Sequence, residues 1–126
     1  MLEQSSLVCF IATADAARAR DFYETRLGLK LLADDDHALT FDAHGTPLRV
    51  QRVATVAPHP YTALGWQVHD LAAAVRALVA DGVPMVRFPG LPLDADGVRD
   101  TPQGSRVAWF HDPDGNTLSL RQPPGR

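Results

Sequence analysis

A catalytic divalent metal ion needs about three protein ligands that project into one space. The chain has only two glutamates: Glu3 precedes the first predicted strand, and Glu24 lies in a predicted helix. Its five histidines fall at predicted strand ends, in a turn or in a linker, which favours a surface role over metal binding. They are His37, His44, His59, His69 and His111. The glutamates and histidines therefore predict no catalytic metal site.

A second kind of chemistry, stacking combined with anion binding, is better represented. Trp66 stands in the strand-like segment ALGWQV, Trp109 in RVAWF and Arg121 in TLSLR. Indole planes beside a guanidinium suit a planar or anionic small molecule, through stacking and paired hydrogen bonds. The alternative remains open that the tryptophans are ordinary core residues and the arginines point to solvent.

The composition excludes several other function classes. The chain of 126 residues has a formal charge of −3 and no run of basic residues, so nucleic-acid binding is not expected. The single cysteine, Cys9, stands in the apolar segment LVCFIA and reads as a strand residue, not as a nucleophile. No signal peptide or membrane-spanning segment is recognisable. We therefore expect a cytoplasmic protein with no membrane partner.

The first half of the chain reads as strand, helix and three strands. An apolar strand at 7–13 precedes Asp15, a candidate N-cap, and helical spacing continues to Leu27 before Gly28 ends the helix. The segments LKLLA, HALTFD and LRVQRV follow as strands, the last two joined by a tight turn around AHG.

The same order returns in the second half. The strand ALGWQV precedes Asp70, a second candidate N-cap, and a helix over 71–80 ends at Gly82. A strand VPMVR, a long loop at 88–104, the strand RVAWF, the turn HDPDGN and the strand TLSLR complete it. The two caps are 55 residues apart, which indicates an internal repeat.

The repeat predicts an α+β fold. We expect a single domain over 1–126, made of one βαβββ module at about 5–54, a linker at 55–61 and a second βαβββ module at about 62–122. We expect the mixed sheets of the two modules to curl around a shared cavity, with the 88–104 loop at its rim.

Three segments resemble the vicinal oxygen chelate superfamily, which includes glyoxalase I, bleomycin-resistance proteins and extradiol dioxygenases. They are RDFYETRLGLKLL, GWQVHDLAAAVRALVADGVPMV and VAWFHDPDGNTLSLRQ. The resemblance spans nearly the whole chain and implies the paired-module fold. In the metalloenzymes of this superfamily it implies a divalent ion held by His, Glu or Gln from four strands.

The matching positions in this chain hold poor metal ligands. The resemblance places them at Val8, Leu64 and Ser119, with the fourth near Arg49 or Gln51. Valine and leucine side chains have no lone pair to donate, and a serine hydroxyl is a weak neutral donor. We therefore predict no metal and no cofactor, while a divalent ion held by substituted ligands remains the disfavoured alternative.

Residues two apart in a strand share a face, so the neighbours of these positions define a predicted ligand site. The predicted ligand-binding residues are Phe10, Arg49, Gln51, Trp66, Trp109, Ser119 and Arg121. We expect a metal-free protein, similar to bleomycin-resistance proteins, that binds a small aromatic or acidic molecule. The alternative is a divalent-metal-dependent lyase, isomerase or dioxygenase, such as a lactoylglutathione lyase. A homodimer is expected, because the resemblance implies that two chains often complete each cavity.

Overall fold

The computed structural model describes residues 1–125 and confirms the α+β class. The chain forms two units, the first from Met1 to Ala57 and the second from Pro58 onward. Each unit has its own four-stranded mixed sheet and its own helix. The division falls inside the 55–61 segment that the sequence marks as a linker.

The first sheet has the strand order β1-β4-β3-β2. Strands β1 and β4 are parallel, and the other two pairings are antiparallel. In chain order the strands are β1 (Cys9–Thr13), β2 (Lys30–Asp34), β3 (Ala38–Ala43) and β4 (Thr46–Arg52). The four strands that the sequence predicts in this half are therefore confirmed.

The helix of the first unit changes its type along its length. Helix α1 spans Ala16–Arg20 and is capped by Asp15, whose side chain accepts a hydrogen bond of 3.1 Å from the backbone nitrogen of Arg18. It continues as a π-helix over Asp21–Arg26. The single α-helix predicted up to Leu27 is wrong in this respect.

The π-helical turns place two consecutive aromatic residues in the core of the first unit. Phe22 and Tyr23 are both buried, and their rings meet edge to face with centroids 5.1 Å apart. Tyr23 also lies 5.9 Å from the ring of Phe41 in strand β3. One face of the first sheet therefore packs on the unit's own helix.

The second sheet repeats this topology with the strand order β5-β8-β7-β6. Its strands are β5 (Leu64–Gln67), β6 (Arg99–Asp100), β7 (Arg106–His111) and β8 (Thr117–Gln122), and its helix α2 spans Leu71–Ala80. Asp70 caps the helix by accepting a hydrogen bond of 3.0 Å from the backbone nitrogen of Ala73. Strands β5 and β8 are parallel, as β1 and β4 are in the first unit.

The edge of the second sheet differs from the prediction. The segment VPMVR at 83–87 forms no strand, and its Val86 nitrogen donates a 2.7 Å hydrogen bond to the Trp109 oxygen. The edge strand is instead β6, a two-residue strand inside the predicted loop at 88–104. Pro84 has no backbone N–H to donate, which makes a continuous ladder at 83–87 harder to form.

The turn between β7 and β8 is held by a buried carboxylate. Asp112 accepts hydrogen bonds from the backbone nitrogens of Asp114 and Asn116, at 3.0 and 2.9 Å, and from Nδ2 of Asn116 at 2.9 Å. Gly115 takes a φ of 85°, which glycine adopts without a steric penalty. The sequence prediction of a turn capped by Asp112 is confirmed.

Candidate functional site

Each sheet has one face on its own helix and one face turned away from it, which we call the distal face. In the second sheet, Gln122 lies on the helix side, because its Oε1 accepts a 2.9 Å hydrogen bond from the first backbone nitrogen of helix α2. Side chains alternate along a strand, so Ser119 and Arg121 lie on the distal face. The strand registers extend this face to the neighbouring strands.

Two cross-strand rows make up the centre of the distal face of the second sheet. Ser119 lies between Gly65 on β5 and Trp109 on β7. Arg121 lies between Gln67 and Val107, and Val107 in turn faces Arg99 on β6. The face therefore combines an indole, a hydroxyl, an amide and two guanidinium groups.

Gly65 leaves the hydroxyl of Ser119 uncovered. A Cβ atom added at Gly65 would lie 2.9 Å from Ser119 Oγ, which is closer than ordinary side-chain packing allows. Ser119 is partly exposed. The absence of a side chain at position 65 thus keeps a hydrogen-bonding group accessible beside the indole of Trp109.

An aromatic side chain from the loop after helix α2 meets Trp109. The ring of Phe88 is edge-on to the indole, with centroids 5.5 Å apart and an angle of 85° between the planes. The hydrogen bond from Val86 to the Trp109 oxygen holds this segment beside β7. The indole therefore has one edge fixed by Phe88 and lies in a row with Ser119.

The predicted pairing of two indoles on one face is wrong. Trp66 lies opposite Leu120, a buried residue on the helix side, and its ring is stacked with that of Phe110 at 6.5 Å. Trp66 is thus on the opposite face of the sheet from Trp109. The error has a simple cause, because a strand register displaced by one residue moves every side chain to the other face.

The same displacement affects Leu64. It pairs with Leu118, which is fully buried on the helix side, so the prediction that Leu64 shares a face with Ser119 is wrong. Position 63, one residue earlier, lies on the same face as Gly65 and Gln67. Ala63 also lies seven residues before Asp70, as Val8 does before Asp15. Alanine, like leucine, offers no metal ligand.

The distal face of the first sheet brings together the three site residues that the sequence places in this half. Phe10 lies opposite Arg49, and Gln51 follows Arg49 by two positions on the same face. Arg49 Nη1 donates a 3.2 Å hydrogen bond to Thr40 Oγ1 across the strand pair. Phe10 is 52% exposed, so its ring is accessible on this face.

The residues present do not fit a divalent metal ion. Among residues 1–125, no group of three or more His, Cys, Asp or Glu side chains is placed to hold one. All five histidines are exposed. His111 does follow Trp109 by two positions in β7 and so has the alternation of the distal face. One imidazole and one serine hydroxyl fall short of the ligand set that a catalytic ion needs. That the protein works without a metal remains a prediction.

Sequence reasoning missed three residues of the distal face of the second sheet. Gln67 is missed because the sequence prediction places its neighbour Trp66 on this face. Arg99 and Phe88 lie within the predicted 88–104 loop, and a two-residue strand is too short to show a periodic pattern. The alternation of exposed Gly65 and Gln67 with half-buried neighbours is the structural signal that identifies the face.

Comparison with known proteins establishes the family. The family model of the glyoxalase/bleomycin resistance protein/dioxygenase superfamily matches residues 6–120. The chain belongs to this superfamily. No curated protein matches the chain.

Solved structures of the same superfamily fold share the architecture over nearly the whole chain. The antibiotic-binding protein TnmS3 from a Streptomyces species is 30% identical, with a TM-score of 0.71 over 95% of this chain and 98% of that one. The fosfomycin resistance protein FosX from Listeria monocytogenes is 16% identical, with a TM-score of 0.75 over 94% and 93%. Lactoylglutathione lyase from Agrobacterium tumefaciens is 17% identical, with a TM-score of 0.71 over 95% of each chain. The last two show the fold alone.

The helices of the described chain are short. None of those within residues 1–125 is long and apolar enough to cross a membrane.

Proposed function

We propose that this superfamily member binds a small aromatic or acidic molecule without a catalytic metal. The observation that carries the proposal is the distal face of the second sheet, where Trp109, Ser119 and Arg121 lie in adjacent rows. An indole gives stacking area, a hydroxyl gives a hydrogen-bond donor or acceptor, and a guanidinium binds an anionic group.

The first unit supplies a second set of groups of the same chemistry. Phe10, Arg49 and Gln51 share the distal face of their sheet and remain proposed ligand-binding residues. Trp66 is withdrawn from this role because it packs on Phe110. The cavity that the two sheets are predicted to share stays a prediction.

The similarity to TnmS3 supports a binding role. That protein is described as antibiotic-binding, and its 30% identity to this chain extends over 95% of the residues here. Superfamily membership alone does not select a function, since FosX and a lactoylglutathione lyase have the same fold. The choice must come from the residues of the site.

The second candidate is a divalent-metal-dependent lyase, isomerase or dioxygenase. One observation favours it: His111 has the same alternation in β7 as Trp109 and could supply one ligand. Against it, Val8 and Ala63 provide no donor atom at the positions equivalent in the two modules. We therefore rank the metal-free binding protein first.

The two tryptophans allow a direct test of the proposed site. Trp66→Phe leaves Trp109 as the only tryptophan, and Trp109→Phe leaves Trp66. We expect planar aromatic acids and planar antibiotics that bind the protein to change the emission of Trp66→Phe strongly and that of Trp109→Phe weakly. Calorimetry on the same proteins gives the affinity independently of fluorescence.

Further substitutions show which face binds the ligand. We expect Trp109→Ala to weaken the best ligand at least tenfold, because it removes the stacking surface. A loss of similar size in Arg49→Gln would show that the first unit contributes to the same binding event. Binding that persists unchanged in Trp109→Ala would contradict the proposed site.

A further inference from the structure

Two arginines flank a valine in one cross-strand row of the second sheet. Arg121 on β8 lies opposite Val107 on β7, and Val107 lies opposite Arg99 on β6. Neighbouring strands are about 4.8 Å apart, so the Cα atoms of the two arginines are about 10 Å apart on one face. Side chains as long as arginine can bridge that gap from both ends toward one bound group.

Neither guanidinium is neutralised within the described chain. Among residues 1–125, Arg99 and Arg121 form no ion pair and no side-chain hydrogen bond. Arg106, on the helix side of β7, is different: its guanidinium lies 2.9 Å from Asp100 and 3.6 Å from Asp94. The segment that carries Asp94 and Asp100 thus neutralises Arg106. Within the described residues it forms no ion pair with Arg99, which it also carries.

The distal face also lacks carboxylates. None of the residues of β5 to β8 that point to the distal face is Asp or Glu. Asp100 is adjacent to Arg99 in β6 and therefore points to the helix side. Two positive charges near each other repel each other, and an anion between them removes that repulsion. Guanidinium groups bind carboxylates through paired, charge-assisted hydrogen bonds.

We infer that Arg99 and Arg121 form a clamp for the acidic group of a planar aromatic acid whose ring lies against Trp109. This inference rests on the proposed function and specifies its ligand class. Trp109 lies opposite Ser119, in the row next to the two arginines. Arg99 is therefore a specificity-determining residue, and it is carried by the two-residue strand β6.

The test compares an acid with its neutral isostere on the full chain. The probes are benzoate, 2-naphthoate and anthracene-2-carboxylate, each paired with the corresponding carboxamide, at neutral pH. We expect calorimetry to show at least tenfold tighter binding of the best acid than of its amide. In Arg99→Gln and Arg121→Gln we expect the acid to lose at least tenfold in affinity, with little change for the amide.

Arg106→Gln is the matched control, because it removes an arginine of the same sheet that is already paired with carboxylates. We expect it to leave the preference for the acid unchanged, and circular dichroism of each variant checks the fold. Equal binding of acid and amide by the wild-type chain would overturn the clamp while leaving the proposed binding function intact. Failure of all three acids to bind up to millimolar concentration would also overturn it. The proposed function itself fails if neutral planar compounds do not bind either.

Discussion

The two units share one topology and differ in the length of the edge strand of the sheet. The first sheet ends in β2, a five-residue edge strand, while the second ends in β6, which has two residues. In the second unit the remaining edge of β7 is approached by the segment that carries Val86 and Phe88. The shortened edge is what allows loop side chains to reach the distal face.

The distal faces also differ in the contacts of their arginines and aromatic rings. In the first unit Arg49 is hydrogen-bonded to Thr40 and lies beside the exposed ring of Phe10. Within residues 58–125, Arg99 and Arg121 on the distal face of the second unit have no such hydrogen bond, and the indole of Trp109 is flanked by Phe88. The same topology therefore carries a hydrogen-bonded arginine beside an exposed phenylalanine in one unit, and two arginines in the row next to an indole in the other.

The turns that precede the last strand of each unit should show the largest difference. The carboxylate of Asp112 is buried and satisfies two backbone nitrogens and a side-chain amide, whereas Asp42 accepts one exposed hydrogen bond of 2.7 Å from Gly45. We expect Asp112→Ala to lower the free energy of unfolding by about 2 to 4 kcal/mol, because buried donors lose their acceptor. Urea denaturation measures the change.

Asp42→Ala is the matched control in the first unit. Its hydrogen bond is exposed to water, so we expect a loss of about 1 kcal/mol or less. A third variant, Asp112→Asn, keeps the shape of the side chain but places an amide donor near Nδ2 of Asn116. We expect its loss of unfolding free energy to lie between those of Asp112→Ala and Asp42→Ala. Equal losses in Asp112→Ala and Asp42→Ala would contradict the contrast between the turns.

A homodimer is the next expectation, and the first unit provides the reason. Phe10 and Val8 are 52% and 40% exposed and have the same alternation, which leaves apolar surface on the distal face of the first sheet. Sedimentation at micromolar concentration should give twice the chain mass of 13.7 kDa. We expect Phe10→Asp to weaken association at least tenfold and Arg121→Gln to leave it unchanged. A wild-type monomer across this concentration range would contradict the prediction.

The sequence predicts the repeat well because its signals are local. The N-caps Asp15 and Asp70 and the helix stops Gly28 and Gly82 each act within a single turn, and the structure confirms all four. Strand register is different, because it depends on pairing with distant strands. Counting from a motif gave the wrong face for Trp66, while the same method placed Phe10 and Arg49 together.

The loop at 88–104 shows the other limit of the sequence. A strand of two residues has no periodicity, and the position of Arg99 beside Val107 is fixed by the ladder between β6 and β7. The carboxylates of Asp94 and Asp100 that neutralise Arg106 come from the same loop. The sequence alone does not distinguish these two carboxylates from unpaired charges on the surface, because their ion pairs with Arg106 depend on the fold.

The central claim is that the protein binds its ligand without a catalytic divalent ion, and metal binding tests it most directly. The chain should be purified without chelator, analysed for metal, and titrated with Ni²⁺, Zn²⁺ and Fe²⁺ by calorimetry. We predict less than stoichiometric metal and no binding at micromolar affinity or tighter, because the equivalent positions Val8, Ala63 and Ser119 lack good donors. Stoichiometric binding at that affinity, lost in Ser119→Ala or Gln51→Ala, would contradict the account.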